Sequence, residues 1–122
     1  MLNGAHCRAL LLLDPWLKPY DAEEMDQSLS LPLLAMMSMG DFGQENGEMA
    51  QRLAMGNAAA SIVFTIAGSG HYDYSDLPLL SPLLTRLVGA KGPINGRLVA
   101  RIINEYTLAF LMRICENGRW GC

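Results

Sequence analysis

Two residues that can carry out acid–base chemistry each follow an apolar, strand-like run. Asp14 ends the run that begins at residue 10, and His71 follows residues 62–67 after a Gly-Ser-Gly turn. An imidazole moves protons near neutral pH, and a carboxylate that accepts a hydrogen bond from one ring nitrogen fixes its tautomer. Open α/β folds place their sites at the carboxyl ends of parallel strands. The sequence therefore predicts that Asp14 and His71 form an acid–base pair.

Each residue also has a simpler interpretation when it is taken alone. An Asp-Pro dipeptide such as that at Asp14 commonly begins a turn, and a lone histidine after a glycine-rich turn is most often an exposed loop residue. Asp41 follows a second apolar run and therefore competes with Asp14 for the role of the acid. Asp73 and Asp76 are further carboxylates close to His71. The order and the strand-end positions of Asp14 and His71 together favour this pair.

The serine nucleophile that such a pair would serve is missing from the printed sequence. An acid followed by a histidine is the second half of the Ser, Asp, His order of the α/β-hydrolases, whose serine lies on a Gly-x-Ser-x-Gly turn. That motif does not occur in the 122 residues, and Ser69 has Ala67 and His71 where the glycines should be. The same turn is an alternative candidate for a phosphate-binding loop, although no Gly-x-Gly-x-x-Gly is completed.

The composition excludes several classes of function. The chain has 122 residues, 51% of them hydrophobic, which suits one small domain with its own core. A net charge of −3 argues against nucleic acid as a partner. No apolar run is long enough to span a bilayer, and Asp14 interrupts the first run without a cleavage site after it, so we expect no signal peptide here; the compartment is left open. We expect no metal and no disulfide framework, with Cys7 and Cys115 as buried thiols and Cys122 in the tail.

Apolar runs and helical patterns alternate along the chain. The pattern predicts strands over residues 8–13, 31–38 and 61–67 and helices over 44–55 and 96–114. It also predicts one helical turn or a loop within 23–28, and a loop followed by a short helix within 77–88. This alternation is typical of an α/β fold with about three parallel strands and flanking helices. The first strand is so apolar that we expect another strand at its outer edge. Residues 1–122 are therefore predicted to be the C-terminal part of a larger domain.

The last predicted helix shows the clearest periodicity. Asn95 is suited to cap it, because an asparagine side chain can accept a hydrogen bond from the first turn. Apolar side chains recur at helical spacing and predict one stripe that packs against the sheet: Val99, Ile102, Ile103, Tyr106, Ala109 and Phe110.

Three blocks of the sequence resemble the plasma-type platelet-activating factor acetylhydrolases and their bacterial esterase relatives. Residues 13–19, with Asp14 and Trp16, are similar to the segment that bears the acid, and residues 70–78 to the segment that bears the histidine. Residues 91–96 and 104–110 are similar to the closing helix of that family. The blocks share order, spacing and unusual residue types across nearly the whole chain, whereas residues 20–60 match only in pattern.

The resemblance implies an α/β-hydrolase fold and the hydrolysis of a short acyl ester, such as the sn-2 acetyl group of an ether phospholipid. It assigns the acid to Asp14 rather than Asp41 and the base to His71, and it implies no metal and no cofactor. Trp16 is most simply a packing residue, and its place next to Asp14 also makes it a candidate for lining an acyl pocket. In the family the nucleophile lies a short stretch before the acid, a point that falls before Met1. We therefore expect the chain alone not to hydrolyse esters.

Two other classes of function remain open. The chain could be a catalytically inactive remnant that binds a membrane, a lipid particle or a protein through a leucine-rich stretch: Leu77, Leu79, Leu80, Leu83 and Leu84. It could also be a small nucleotide-binding domain that uses the Gly68–Gly70 turn, but no helix is predicted directly after that turn and no lysine or arginine lies near it.

Overall fold

The protein folds as a parallel sheet with helices on its faces. The structure, a computed structural model, describes residues 7–26, 29–81, 83, 87 and 92–116. Its strands are β1 (Leu10–Leu13), β2 (Leu33–Met37) and β3 (Ser61–Thr65). Its helices are α1 (Ala22–Met25), α2 (Asp41–Met55), α3 (Leu77–Leu80) and α4 (Gly96–Glu116), and one 3-10 turn spans His71–Tyr74.

The strands lie in the order β1-β2-β3, and both pairs are parallel. Leu10 pairs with Leu33, and Leu33 pairs with Ser61. The predicted class, an α/β fold with three parallel strands and flanking helices, is confirmed. Because all three strands run the same way, their carboxyl ends meet at one edge of the sheet, and the residues after each strand are brought together there.

The central strand β2 is buried along its whole length, as expected for a parallel strand covered on both faces. Side chains alternate along a strand, so Leu33, Ala35 and Met37 share one face, on which α2 packs. Leu34 and Met36 point to the opposite face, which is also closed. Met36 and Met37 are therefore core residues, whereas Met39 is exposed.

Strand β1 is less buried than the sequence predicts. Its first three leucines are partly buried and Leu13 is exposed, although continuous leucines predict a strand covered on both sides. The reason is its place in the sheet, because within the described residues β1 pairs only with β2 and its outer edge carries no strand. Such an edge presents unpaired backbone N–H and C=O groups.

Helix α4 begins where the sequence predicts and packs less completely than expected. The side-chain oxygen of Asn95 accepts a hydrogen bond from Arg97 N–H at 2.9 Å, which confirms the cap. Within the predicted stripe Val99 is buried, but Tyr106 is exposed although its ring lies 4.7 Å from that of Phe64. Ala109 is also exposed. The reason is that β3 is the last strand of the described sheet. Phe64 of β3 contacts Tyr106, but no further described strand covers this part of the helix.

The region after the 3-10 turn also departs from prediction. Residues 77–80 are helical where the sequence predicts a loop, since Pro78 lies in the first turn, where a missing N–H costs nothing.

The cysteines differ from prediction as well. Cys7 is exposed rather than buried, and its thiol donates to Ala9 O at 3.2 Å. Cys115 is partly buried, and Cys122 lies outside the described residues. No helix in the described part of the chain has the length and apolar character needed to span a membrane.

Candidate active site

Asp14 lies directly after β1 with its carboxylate turned into the protein. Its backbone N–H donates to Met36 O at 2.8 Å, which continues the sheet by one bond. One carboxylate oxygen, Oδ1, accepts the N–H of Ser38 at 2.7 Å, and the side chain is fully buried. The φ of Asp14 is +43°, a left-handed conformation that aspartate adopts more readily than most residues. This backbone turn aims the carboxylate back across the strand ends.

His71 completes the contact from the third strand end. Its Nδ1 lies 2.5 Å from Asp14 Oδ2, so each oxygen of the Asp14 carboxylate has one hydrogen-bond partner. The His71 side chain is 45% exposed, whereas that of Asp14 is 0% exposed. Among the described residues, no hydrogen bond reaches the second ring nitrogen, Nε2. The pair therefore combines a buried carboxylate with a partly exposed imidazole, which is an arrangement suited to proton transfer to or from a substrate.

Two aromatic rings flank the imidazole. The ring of Phe42, from the first turn of α2, lies 4.3 Å from that of His71 with 51° between the planes. The ring of Tyr72 approaches edge-on at 5.6 Å. The imidazole is thus held by Asp14 at one nitrogen and by Phe42 against one face.

The turn before His71 is fixed by its own hydrogen bonds. Gly68 has a φ of +77°, which a glycine adopts without strain. Ser69 is buried; its hydroxyl donates to Ile66 O at 2.7 Å, and its carbonyl oxygen accepts Met39 N–H at 3.0 Å. The N–H of Ser69 donates to Ile66 O and that of Gly70 to the Asp73 carboxylate. Both amides are therefore occupied, which disfavours the phosphate-binding alternative.

Tyr74 ties the 3-10 turn to β2. Its hydroxyl donates to Met37 O at 2.7 Å. Burial, together with the negative charges of Asp14 and Asp73, raises the pKa of Tyr74 well above that of an ordinary tyrosine. The phenol is consequently a neutral donor at physiological pH.

The loop that follows Asp14 is anchored by a side chain that the sequence pattern does not single out. Asn46, buried in α2, accepts the N–H groups of Leu17 at 2.5 Å and Lys18 at 3.2 Å, while its amide donates to Phe42 O at 2.7 Å. Lys18 also forms an ion pair of 2.9 Å with Glu45. Asn46 could have been suspected from the sequence, because an asparagine inside a predicted helix tends to bond to backbone groups through its side chain.

The other candidates lie as follows. Trp16 is 66% exposed, two residues after Asp14. Asp41 is the first residue of α2, its side chain is not described, and the carboxylate bonded to His71 belongs to Asp14. Asp76 is exposed, and its side chain forms no cap bond to α3. No group of three or more possible metal ligands occurs within the described ranges.

Comparison with known proteins gives one match. The sequence model of the family described as "Platelet-activating factor acetylhydrolase, isoform II" matches residues 2–120. No curated protein and no solved structure matches the chain. The family match covers all three strands, Asp14 and His71.

Proposed function

Because the chain belongs to the platelet-activating factor acetylhydrolase, isoform II family, we propose that Asp14 and His71 are the acid and the base of a serine ester hydrolase. Family membership gives a hydrolase of the platelet-activating factor acetylhydrolase kind, with an ester or lipid as the substrate. The observation that carries the residue assignment is the 2.5 Å contact between Asp14 Oδ2 and His71 Nδ1. It leaves Nε2 as the nitrogen that meets the reacting groups.

The proposed reaction uses His71 twice. Nε2 of His71 takes the proton of a serine hydroxyl while the serine oxygen attacks the acyl carbonyl carbon. The same proton then passes to the leaving alcohol as the ester C–O bond breaks, and an acyl-enzyme remains. Water repeats the sequence to release the acid. Throughout, Asp14 holds Nδ1 and stabilises the positive charge on the imidazole, which its burial and its bond to Ser38 N–H prepare it to do.

We propose further that the nucleophile comes from a segment outside these 122 residues, and that this chain is the C-terminal part of the hydrolase domain. Two observations support this proposal. The sequence contains no Gly-x-Ser-x-Gly motif. The outer edge of β1 carries no strand within the described residues, and a parallel strand paired there would end about 4.8 Å from the end of β1. Its following turn would lie beside Asp14.

The proposed substrate is a short acyl ester, of which the sn-2 acetyl group of an ether phospholipid is the example that the family suggests. Trp16 supports a site for such a group, because it is a large exposed ring two residues after the acid. Tryptophan combines an apolar body with one N–H donor, which suits the boundary between an acyl pocket and water.

The test measures hydrolysis of p-nitrophenyl acetate. We expect no turnover by the 122-residue chain. We expect turnover when the chain is joined to an in-frame upstream segment that ends in Gly-x-Ser-x-Gly, and we expect a serine-directed phosphonate to abolish it. His71→Ala should remove the activity and His6→Ala, at the other histidine, should not. Turnover by the short chain that is lost in His71→Ala and titrated by the phosphonate would refute the proposal on the nucleophile.

A second candidate function is that of an inactive remnant that binds a lipid surface. It is favoured by four leucines that are between 45% and 79% exposed: Leu77, Leu79, Leu80 and Leu83. Leu84 lies outside the described residues. Sedimentation with phosphatidylcholine vesicles tests it, since Leu80→Asp should weaken binding by roughly tenfold if that side chain enters the bilayer boundary, whereas Leu98→Asp on α4 is the control. Equal binding by both variants would contradict it.

A further inference from the structure

Asp73 is a buried carboxylate that takes no part in the acid–base pair. Its Oδ2 accepts the N–H of Gly70 at 2.8 Å and the N–H of Gly92 at 3.0 Å. Its other oxygen, Oδ1, is buried and has no hydrogen-bond partner among the described residues. Leaving a buried carboxylate oxygen unpaired is unfavourable, so such a group calls for an explanation.

The two backbone amides that Asp73 binds belong to two chain segments that meet in one junction. One segment is residues 68–70, before His71, and the other is residues 92–94, before α4. Gly70 immediately precedes His71, and Gly92 begins the turn that leads into α4. The backbones are in direct contact there, because a methyl group at Gly92 would lie 2.6 Å from Gly70 N and would also overlap the carbonyl of Gly68. Ile94 N–H donates to Gly68 O at 3.1 Å and closes the junction.

His71 lies inside this junction. The carboxylate of Asp73, two residues after His71, binds the amide of the residue before it, and Asp73 N–H returns to Gly70 O at 3.1 Å. The backbone of His71 is thereby enclosed in a small hydrogen-bonded loop. The imidazole itself is half-exposed, so the position of Nδ1 relative to Asp14 depends on where this backbone is held.

We propose that Asp73 is a positioning residue for His71, acting through the amides of Gly70 and Gly92 so that Nδ1 faces Asp14. This inference rests on the proposed role of His71 as the base. The acceptor oxygen carries the effect, and the charge of Asp73 does not. Asparagine, which keeps an oxygen at that place, should therefore preserve the geometry, and alanine should not.

The test is ¹⁵N NMR of the 122-residue chain, with His6→Gln in the background so that His71 is the single histidine. The readouts are the tautomer of His71 and the rate at which its Nδ1 proton exchanges with solvent. Asp73→Ala should raise the exchange rate by about tenfold or more and mix the tautomers, because one hydrogen bond corresponds to roughly a factor of ten in an opening equilibrium. Asp73→Asn should change the rate by less than about threefold on the same argument.

Asp76→Ala is the control, because it removes a neighbouring exposed carboxylate without a cap bond. An unchanged Nδ1 signal in folded Asp73→Ala would overturn the proposal, and so would loss of the signal in folded Asp73→Asn. If Asp73→Ala does not fold, Asp73→Glu replaces it: the charge stays, the oxygen moves by one methylene, and exchange should be as fast as expected for alanine. No ester is hydrolysed in this test, so the inference and the proposed reaction can fail independently.

Discussion

Phe42 packs against one face of the imidazole of His71, with 4.3 Å between the ring centroids. The contact joins the start of α2, which follows β2, to the turn that follows β3. The two rings are in contact at an angle of 51°, and this contact limits rotation of the imidazole. The imidazole of His71 is therefore oriented by packing as well as by its bond to Asp14.

Phe42→Ala should loosen His71 without removing its partner Asp14. We expect the free energy of unfolding to fall by about 1 kcal/mol from the lost ring contact, with a further loss from reduced burial. The NMR signal of the His71 Nδ1 proton should broaden. Phe42→Leu, which keeps apolar cover without a second ring, should lie between wild type and alanine. Urea unfolding measures the first effect, and an unchanged Nδ1 signal in Phe42→Ala would show that the packing does not orient the ring.

Asp14 should contribute to the stability of the fold as well as to the proposed reaction. Asp14→Ala leaves the buried N–H of Ser38 without its acceptor, which costs about 1–3 kcal/mol of unfolding free energy. Asp14→Asn retains an acceptor oxygen and should be nearly as stable as wild type. In the assembled hydrolase, Asp14→Asn should still lower kcat by roughly 10⁴-fold, because an amide cannot stabilise the charged imidazole or fix its tautomer. Equal stability of the alanine and asparagine variants would contradict the role of the Ser38 bond.

Gly43 and Gly47 in α2 should respond in opposite directions to the same substitution. A methyl group at Gly43 would overlap the backbone carbonyl of Ser38, so Gly43→Ala should destabilise the fold by more than about 2 kcal/mol. At Gly47 the nearest atom to a new methyl group is Met37 Cγ at 3.9 Å. Gly47→Ala should therefore stabilise the helix by about 0.5–1 kcal/mol. Thermal unfolding of the two variants measures both effects. A destabilised Gly47→Ala would contradict the open space found beside Gly47.

Tyr74 should make the fold sensitive to alkali. Its pKa is raised in the folded state, chiefly by burial. Above about pH 10 the unfolded chain releases this proton while the folded chain retains it, so the unfolding free energy falls as the pH rises. Below that pH the contribution is constant.

In Tyr74→Phe this part of the alkaline slope should disappear, together with about 1 kcal/mol at neutral pH from the lost bond to Met37 O. Exposed Tyr20→Phe is the matched control for removing one hydroxyl. Urea unfolding between pH 8 and about pH 11 measures both slopes; an alkaline slope in Tyr74→Phe equal to that of wild type would assign the effect to other groups.

The strands and their shared edge could be predicted because local patterns specify them. Continuous leucines and β-branched residues mark β1 to β3, and a polar residue after a strand must lie at the carboxyl edge of a parallel sheet. That rule alone anticipates that Asp14 and His71 can meet. The sequence pattern begins α2 three residues late, because Gly40 and Gly43 favour a loop. In the structure Gly40, with a φ of +111°, directly precedes the helix. Gly43 is required instead by the close approach of α2 to Ser38, a tertiary contact that no local pattern reveals.

Which segments the supporting side chains of the pair bind could not be predicted, for the same reason. Asn46 and Phe42 act on segments far along the chain. Asp73 appeared in the sequence as one of several acids near His71, and only its two backbone partners distinguish it from the exposed Asp76. Side chains that bind the backbone carry no residue-type signal of their partners, so these contacts emerge only in three dimensions.

The hydrogen bond between Asp73 and Gly92 also brings two distant points of the chain together beside His71. The chain leaves this point after Asp73 and returns to it at Gly92, whose N–H donates to Asp73 Oδ2 at 3.0 Å. Insertions or deletions between Asp73 and Gly92 would change a segment whose two ends are held together by this hydrogen bond. A change in the length of this segment would therefore alter the surface around the site while His71 stays in contact with Asp14.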